Sequence, residues 1–305
     1  MKWLAKTHGR QFELVRHFLR RMFDGEWSSA PGQWRSAAIG AISLVLPAGL
    51  LLVREGALDP KYASKYQLLR MAADPNAIRS AALADELALI TLLFCVTGLI
   101  ALLVWQSLFP SERDYLVLAS LPVRPSQVFT ARFTSAVLFS TAIVAAMNIL
   151  PSLLSPIEFG GEWRLDASYL MLAGAQAAAS CLACFFVFFA ILALQGILLN
   201  LLPRSQFTRV SVYAQGALAG IFLLGGFYSW SIKEWKPAVI GRLPAFGAWL
   251  PPVWFTGLDE TLAGKGGSPF LTSMSHRALL AAGIAVTLAA ASYLISYRRY
   301  RKLLL

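Results

Sequence analysis

The sequence predicts an all-α polytopic membrane protein with six transmembrane helices, an amphipathic interfacial helix before them and a re-entrant region before the last one. Two observations lead to this prediction. Six stretches lack Lys, Arg, Asp and Glu and are long enough to cross a bilayer, and the basic residues gather in alternate connecting segments. A spanning helix needs about 17–25 mostly apolar residues, because the hydrocarbon core is about 30 Å thick. The six stretches are residues 36–53, 87–111, 133–157, 167–203, 210–232 and 278–297.

The composition agrees with this class. Hydrophobic residues make up 57% of the 305-residue chain and charged residues only 14%, which is typical of a membrane protein. We interpret residues 1–305 as one transmembrane domain with an amino-terminal part (1–35), a six-span bundle (36–297) and a tail (298–305). Lys and Arg that face an anionic inner leaflet explain the net charge of +11, so no nucleic acid partner is needed.

The distribution of charge predicts the orientation, because Lys and Arg concentrate in the loops that stay in the cytoplasm. Residues 1–35, 110–132, 202–209 and 298–305 together carry 16 basic and 5 acidic residues. The three connecting segments on the other side carry 11 of each. The net charge therefore lies on one face, which predicts a multi-pass protein of the inner cell membrane with both termini in the cytoplasm.

The residues before the first stretch predict an amphipathic helix over 10–27. One face carries Phe12, Val15, Phe18, Leu19, Met22 and Phe23, and the other carries Glu13, Arg16, Arg20, Arg21 and Asp24. A basic amphipathic helix next to a span lies in the plane of the lipid headgroups. The alternative is a soluble helix that packs on a partner or on a neighbouring loop.

The loop over residues 54–86 predicts a short external helix that ends at Asp74 and Pro75. Asp85 and Glu86 then begin the second span at the outer boundary. Acidic residues near the amino terminus of a helix interact favourably with its dipole. We prefer this interpretation to one in which the two acids guide a cationic solute.

Residues 110–132 predict an ordered cytoplasmic segment between the second and third spans. Ser111 can cap a short helix with an acidic first turn, and Ser126 can cap a second helix that runs through Arg132 into the third span. A surface that mixes charged and apolar residues in this way suits a protein partner better than lipid.

The fourth stretch is 37 residues long, which is more than one upright helix needs. Dividing it into two spans would put the basic tail at 298–302 outside the cell, against the charge rule. The sequence therefore predicts one long helix. In the fifth stretch, Gly216 and Gly220 form a GxxxG pattern, which permits close helix approach within the subunit or across a dimer.

Polar side chains inside the spans are sparse. Asn148, Gln176 and Gln195 are candidates to line a solute path, although interhelical hydrogen bonds would equally explain them. No Lys, Arg, Asp or Glu lies inside a span away from its ends, which argues against an ion-driven carrier.

The last external loop, residues 233–277, is rich in aromatic residues, Pro and Gly. Its length and composition predict broken helical pieces that re-enter the outer interface. Residues 264–268, with the sequence GKGGS, predict a flexible strip before the sixth span.

The chain carries no sequence motif of an enzyme. It lacks GxxxxGK[ST], HExxH and GxSxG, so it is not expected to hydrolyse ATP or to bind a cofactor by itself. The three cysteines lie inside predicted spans and the three histidines are scattered, so no metal site is predicted. Energy for uphill transport would have to come from another subunit.

This layout resembles the membrane permease subunits of type-2 ABC exporters, the ABC-2 type. The segment ERDYLVLASLPVRPSQVFTAR at 112–132 is similar to an acidic, Leu-Pro-containing segment of that family, and LPPVWF at 250–255 is a weaker match. The resemblance implies an exporter with two permease subunits, as a homodimer or a heterodimer, and two separate ATPase subunits that hold ATP and Mg²⁺. Membrane lipids would be the other partners.

The resemblance also implies that residues 110–132 act as a coupling helix in a groove of the ATPase. The contact residues would be Glu112, Arg113, Asp114, Tyr115 and Leu116, with Arg16, Arg20 and Arg21 nearby. Two other functions stay open. A stand-alone secondary or passive transporter would need an ionisable site inside the membrane, and a non-transporting membrane scaffold would need no solute path.

Overall fold

The computed structural model describes residues 11–20, 75–109, 125–160, 167–232, 234–235, 237–265 and 268–304, and the regular structure in these ranges is helical throughout. In chain order the elements are α1 (residues 11–20), α2 (Pro75–Leu103), α3 (Trp105–Leu108), α4 (Pro125–Gly160), α5 (Ala167–Leu201), α6 (Arg204–Ile232), α7 (Pro237–Ile240), α8 (Leu243–Phe246), a 3-10 turn (Gly247–Trp249), α9 (Pro251–Leu262) and α10 (Pro269–Leu304).

Five helices in the described part are long and apolar enough to cross a membrane. They cover Asn76–Leu103, Gln127–Leu154, Ser168–Leu201, Gln206–Ile232 and Pro269–Ser296. The chain is therefore a multi-pass membrane protein whose described part is all-helical. These helices correspond to the second to sixth predicted spans, whereas the first predicted span, residues 36–53, lies outside the described residues.

Helix α5 lies at the centre of the bundle and packs against α2, α4, α9 and α10. It runs without a break for 35 residues, or about 52 Å at 1.5 Å per residue, which confirms the prediction of one long helix. Small residues allow its neighbours to approach closely. A Cβ atom added at Gly196, for example, would overlap the side chain of Ser292 on α10.

Three membrane-length helices begin earlier than the charge-free stretches indicate, and each begins at a proline. Helices α2, α4 and α10 start at Pro75, Pro125 and Pro269. Proline fits the first position of a helix because its fixed φ is already helical and no hydrogen bond to its nitrogen is needed there. Pro75 therefore begins α2, whereas the short external helix predicted to end at Asp74 and Pro75 lies in residues 54–74, outside the described residues.

This earlier start changes the environment of the two acidic residues in α2. Asp85 and Glu86 lie well inside the helix, so the prediction that they interact with a helix amino terminus is wrong. Likewise, Ser126 lies within α4 rather than before it.

The chain between α6 and α10 forms the broken helical pieces that the sequence predicts: α7, α8, the 3-10 turn and α9. Helix α9 packs against α10, α5 and α2. Val253, Leu271 and Met274 are buried where α9 and α10 meet the first turns of α2. Helix α9 is thus part of the core at the end of the bundle where α2 begins.

Candidate functional site

Helix α1 packs on the first turns of α4. Phe18 is only 1% exposed and contacts Val128 and Ala131 of α4. The hydroxyl of Ser135 donates hydrogen bonds to the carbonyl oxygens of Val15, at 3.0 Å, and of Ala131, at 2.7 Å. This edge of α1 therefore packs on the protein itself. Such packing is what the alternative interpretation of the amphipathic pattern, a helix packed on another protein segment, expects.

Arg132 connects α1 to two further parts of the bundle. Its side chain is buried, and the guanidinium carbon lies 4.7 Å from the centre of the Phe18 ring. Its Nη2 atom donates to the carbonyl oxygen of Phe109, at 3.4 Å. The Phe109 ring in turn stacks on Tyr293 of α10 with 4.4 Å between ring centres, and the Tyr293 hydroxyl donates to the carbonyl oxygen of Leu108.

We call Phe18, Phe109, Arg132 and Tyr293 the Arg132 cluster. Phe109 directly precedes residues 110–124, and Pro125 directly follows them. Both flanks of the predicted coupling segment are therefore held by one cluster that also includes α1 and the last membrane helix.

The individual contact residues expected from the resemblance are described only in part. Residues 112–116 and Arg21 lie outside the described residues. Arg16 and Arg20 are exposed on α1, and Arg16 forms an ion pair at 4.0 Å with Glu13 one turn away. These two side chains are accessible to a partner.

Replacing Arg132 with glutamine is expected to loosen α1 from α4. A desolvated cation–π contact contributes about 1–2 kcal/mol, so the protection of α1 amides against hydrogen exchange should fall roughly 5- to 30-fold. Hydrogen-exchange mass spectrometry over residues 11–20 measures this change. Arg209→Gln, at an exposed arginine on α6, is the matched control. Unchanged protection of α1 in Arg132→Gln would contradict the role assigned to Arg132.

The three amides predicted to line a solute path are all buried in the bundle. Gln195 donates from Nε2 to the carbonyl oxygen of Trp105, at 2.7 Å, where the chain turns from α2 into α3. Asn148 donates from Nδ2 to the carbonyl oxygen of Val144, at 2.8 Å, and to Cys184 Sγ, at 3.6 Å. Gln195 and Asn148 thus connect helices, whereas Nε2 of Gln176 makes no hydrogen bond in the described structure.

A second polar cluster lies at the opposite end of α2 from the Arg132 cluster. Lys265, between α9 and α10, forms an ion pair with Glu86 of α2. Its Nζ atom also lies 3.4 Å from Asp259 Oδ2 and 3.6 Å from Glu260 Oε1, both on α9. Arg79 of α2 approaches Glu260 Oε2 at 3.6 Å from a half-exposed position. We call these five residues the Lys265 cluster.

The acidic side chains of this cluster are unusually well buried. The three acidic side chains are at most 4% exposed, whereas the Lys265 side chain is 26% exposed. Burial alone would lower the pKa of Lys265, but attraction to Glu86 and Asp259, the hydrogen bond to Glu86 and attraction to Glu260 raise that pKa above its usual value. The ammonium group therefore stays charged and joins the connector after α9 to α2.

The end of α9 positions Lys265 in this cluster. Gly264 has φ +64°, and its N–H donates to the carbonyl oxygen of Thr261, at 3.3 Å. The N–H of Lys265 donates to the carbonyl oxygen of Glu260, at 3.2 Å. These two bonds form a Schellman motif, which turns the chain back over the last turn of a helix. Gly264 and Lys265 thus form a cap rather than the flexible strip that the sequence predicts.

The Lys265 cluster went unrecognised in the sequence because its members are distant along the chain. Glu86 and Lys265 are 179 residues apart. The one local signal is the pair Asp259 and Glu260 near the carboxyl end of an otherwise apolar helix. Two adjacent acids there indicate a buried polar partner, although not which residue provides it.

No family model, curated protein or solved structure matches this chain. The resemblance to the exporter permeases therefore rests on the segments at 112–132 and 250–255 and on the layout of the helices.

Proposed function

We propose that this chain is the membrane subunit of an ATP-driven exporter of the ABC-2 type. Two permease subunits would form the solute path, and a separate ATPase subunit would bind ATP and Mg²⁺ and drive transport through residues 110–132. The main support is the Arg132 cluster, because it holds both flanks of this segment together with α1 and α10. A segment that transmits movement from an ATPase to the membrane has to be rigid and connected to several membrane helices.

The proposed orientation puts the Arg132 cluster on the cytoplasmic side, at the inner cell membrane. The excess of basic residues in segments 1–35, 110–132 and 298–305 supports this side. In that orientation α1 lies at the cytoplasmic headgroup layer, six spans cross the membrane, and α7 to α9 re-enter it from outside. The packing of α9 against three membrane-length helices supports re-entry.

The exposed surface of α6 supports contact with lipid or with a second permease subunit. Only 11% of its most apolar window is buried by the described residues, compared with 56% for α5. Neither Gly216 nor Gly220 has an atom of the described chain within 4 Å of an added Cβ, so their GxxxG surface is open to another helix.

Replacing Glu112 and Asp114 with alanine together is expected to abolish most of the co-purification with the ATPase, because charged contacts with the partner are lost. The affinity-tagged chain is purified from its native membranes, and vanadate-sensitive ATP hydrolysis in the eluate is measured. Glu162→Ala with Asp166→Ala, a double acidic change in a segment predicted to lie outside, is the matched control. Hydrolysis that co-purifies equally with both double variants would count against the proposed coupling.

The Lys265 cluster favours a second candidate function, a stand-alone secondary transporter. Such carriers need buried ionisable groups, and Glu86 is one, within the membrane-length helix Asn76–Leu103. Transport by the purified chain in liposomes without ATP would support this candidate, and strict dependence on the ATPase subunit would exclude it.

A further inference from the structure

The charges of the Lys265 cluster do not balance. Glu86, Asp259 and Glu260 supply three carboxylates, whereas Lys265 and the half-exposed Arg79 supply two cations. A buried ionised carboxylate is costly unless it is paired and hydrogen-bonded. One more positive charge would make the cluster neutral.

The hydrogen bonds of the cluster are also incomplete. One oxygen of each acid, Glu86 Oε2, Asp259 Oδ1 and Glu260 Oε2, is buried and accepts no hydrogen bond within the described structure. The Lys265 ammonium already faces the other oxygen of each acid. The cluster therefore lacks a hydrogen-bond donor as well as a charge.

A metal ion fits this deficit poorly. The described residues contain no group of three or more His, Cys, Asp or Glu side chains that could hold one. A proton, in contrast, supplies both missing quantities. Bound to a carboxylate it removes one negative charge, and the resulting O–H can donate to a neighbouring carboxylate oxygen.

We propose that the Lys265 cluster is a proton-binding site, in which Glu86, Asp259 and Glu260 together hold one exchangeable proton in addition to the Lys265 ammonium. The proton comes from water and returns to it on the side of the cluster where the Lys265 side chain is partly exposed. This inference does not rest on the proposed exporter function, since an exporter subunit and a secondary transporter could both contain the site.

Among the described residues, we find no other ionisable group that adds a cation to the cluster. Helices α5 and α7, which pack near α2 and α9, contain no Lys, Arg, Asp or Glu. His276 and Arg277 of α10 are exposed, and Arg277 donates to the carbonyl oxygen of Ala248. Asp85 precedes Glu86 in α2 and makes an interaction of its own.

Infrared spectroscopy of the purified full chain in lipid nanodiscs tests the proposal. The wild type at neutral pH should show the carbonyl stretch of a protonated carboxyl group, and the band should shift in D₂O and disappear as the pH is raised. Its absence from the wild type at neutral pH would overturn the proposal without any variant. A band that is present but insensitive to D₂O would also overturn it, since the proton would not be exchangeable.

Three single variants assign the band to the cluster. Glu86→Gln, Asp259→Asn and Glu260→Gln each remove one negative charge, so the two remaining carboxylates are balanced by Lys265 and Arg79. The band should therefore be lost in every variant that folds, as judged by size-exclusion chromatography. Glu13→Gln, at an exposed acid on α1, should keep it. A band retained in the folded variants would place the proton elsewhere and overturn the proposal.

Discussion

Replacing Lys265 with methionine is expected to lower the free energy of unfolding by about 3–5 kcal/mol. Removing one partner of a buried ion pair leaves the other charges uncompensated, and here three buried acidic side chains would lose the ammonium that faces them all. Thermal and denaturant unfolding in detergent, followed by tryptophan fluorescence, measures the loss. Arg209→Met, which removes an exposed cation from α6, should change stability by less than about 0.5 kcal/mol.

The same variant should respond to pH with a defined sign. In Lys265→Met the buried acidic side chains lose their ammonium partner, and protonation would remove the repulsion between them, so stability should rise as the pH falls. In the wild type the pKa of Lys265 is raised, so the stability it contributes is fully present below its usual pKa and is lost only as the pH rises through the higher value. Adding Glu86→Gln to Lys265→Met should restore part of the loss. Equal stability of Lys265→Met and wild type, with no effect of acid, would contradict the role of Lys265.

The membrane-length helices could be predicted from the sequence because the hydrocarbon core excludes charge wherever it is crossed. This criterion finds the apolar middle of a helix and misses its ends. Helix α2, for example, begins at Pro75, although its charge-free stretch begins at residue 87. Backbone hydrogen bonding continues through the interfacial layer, where charged side chains are tolerated.

The polar clusters could not be predicted in the same way. Arg132 is identifiable as a basic residue at the start of a span, but its contacts with Phe18 and Phe109 depend on how three helices meet. Glu86 and Lys265 come together only because the cap at Gly264 turns the chain towards α2. Such contacts are tertiary, so no local period or spacing in the sequence encodes them.

Replacing Gly257 with alanine is expected to destabilise the protein by about 1–3 kcal/mol, and Gly257→Val by more. Gly257 lies on α9 where this helix crosses α10. An added Cβ would overlap the carbonyl oxygen of Leu271 and lie 3.0 Å from Met274 Cβ. The obstacle is mainly backbone, which cannot move aside as a flexible side chain can, so α9 itself would have to shift. Unfolding followed by tryptophan fluorescence measures the loss.

The matched control is Gly283→Ala on α10, where an added Cβ meets no atom within 4 Å. Alanine there should be neutral, or stabilising by up to about 1 kcal/mol through its higher helix propensity. Because Asp259 and Glu260 follow Gly257 on α9, a shift of this helix should also separate them from Lys265. The infrared band of the protonated carboxyl should therefore change in Gly257→Ala and stay constant in Gly283→Ala. Equal stability and equal spectra for the two variants would mean that the contact between α9 and α10 does not position the Lys265 cluster.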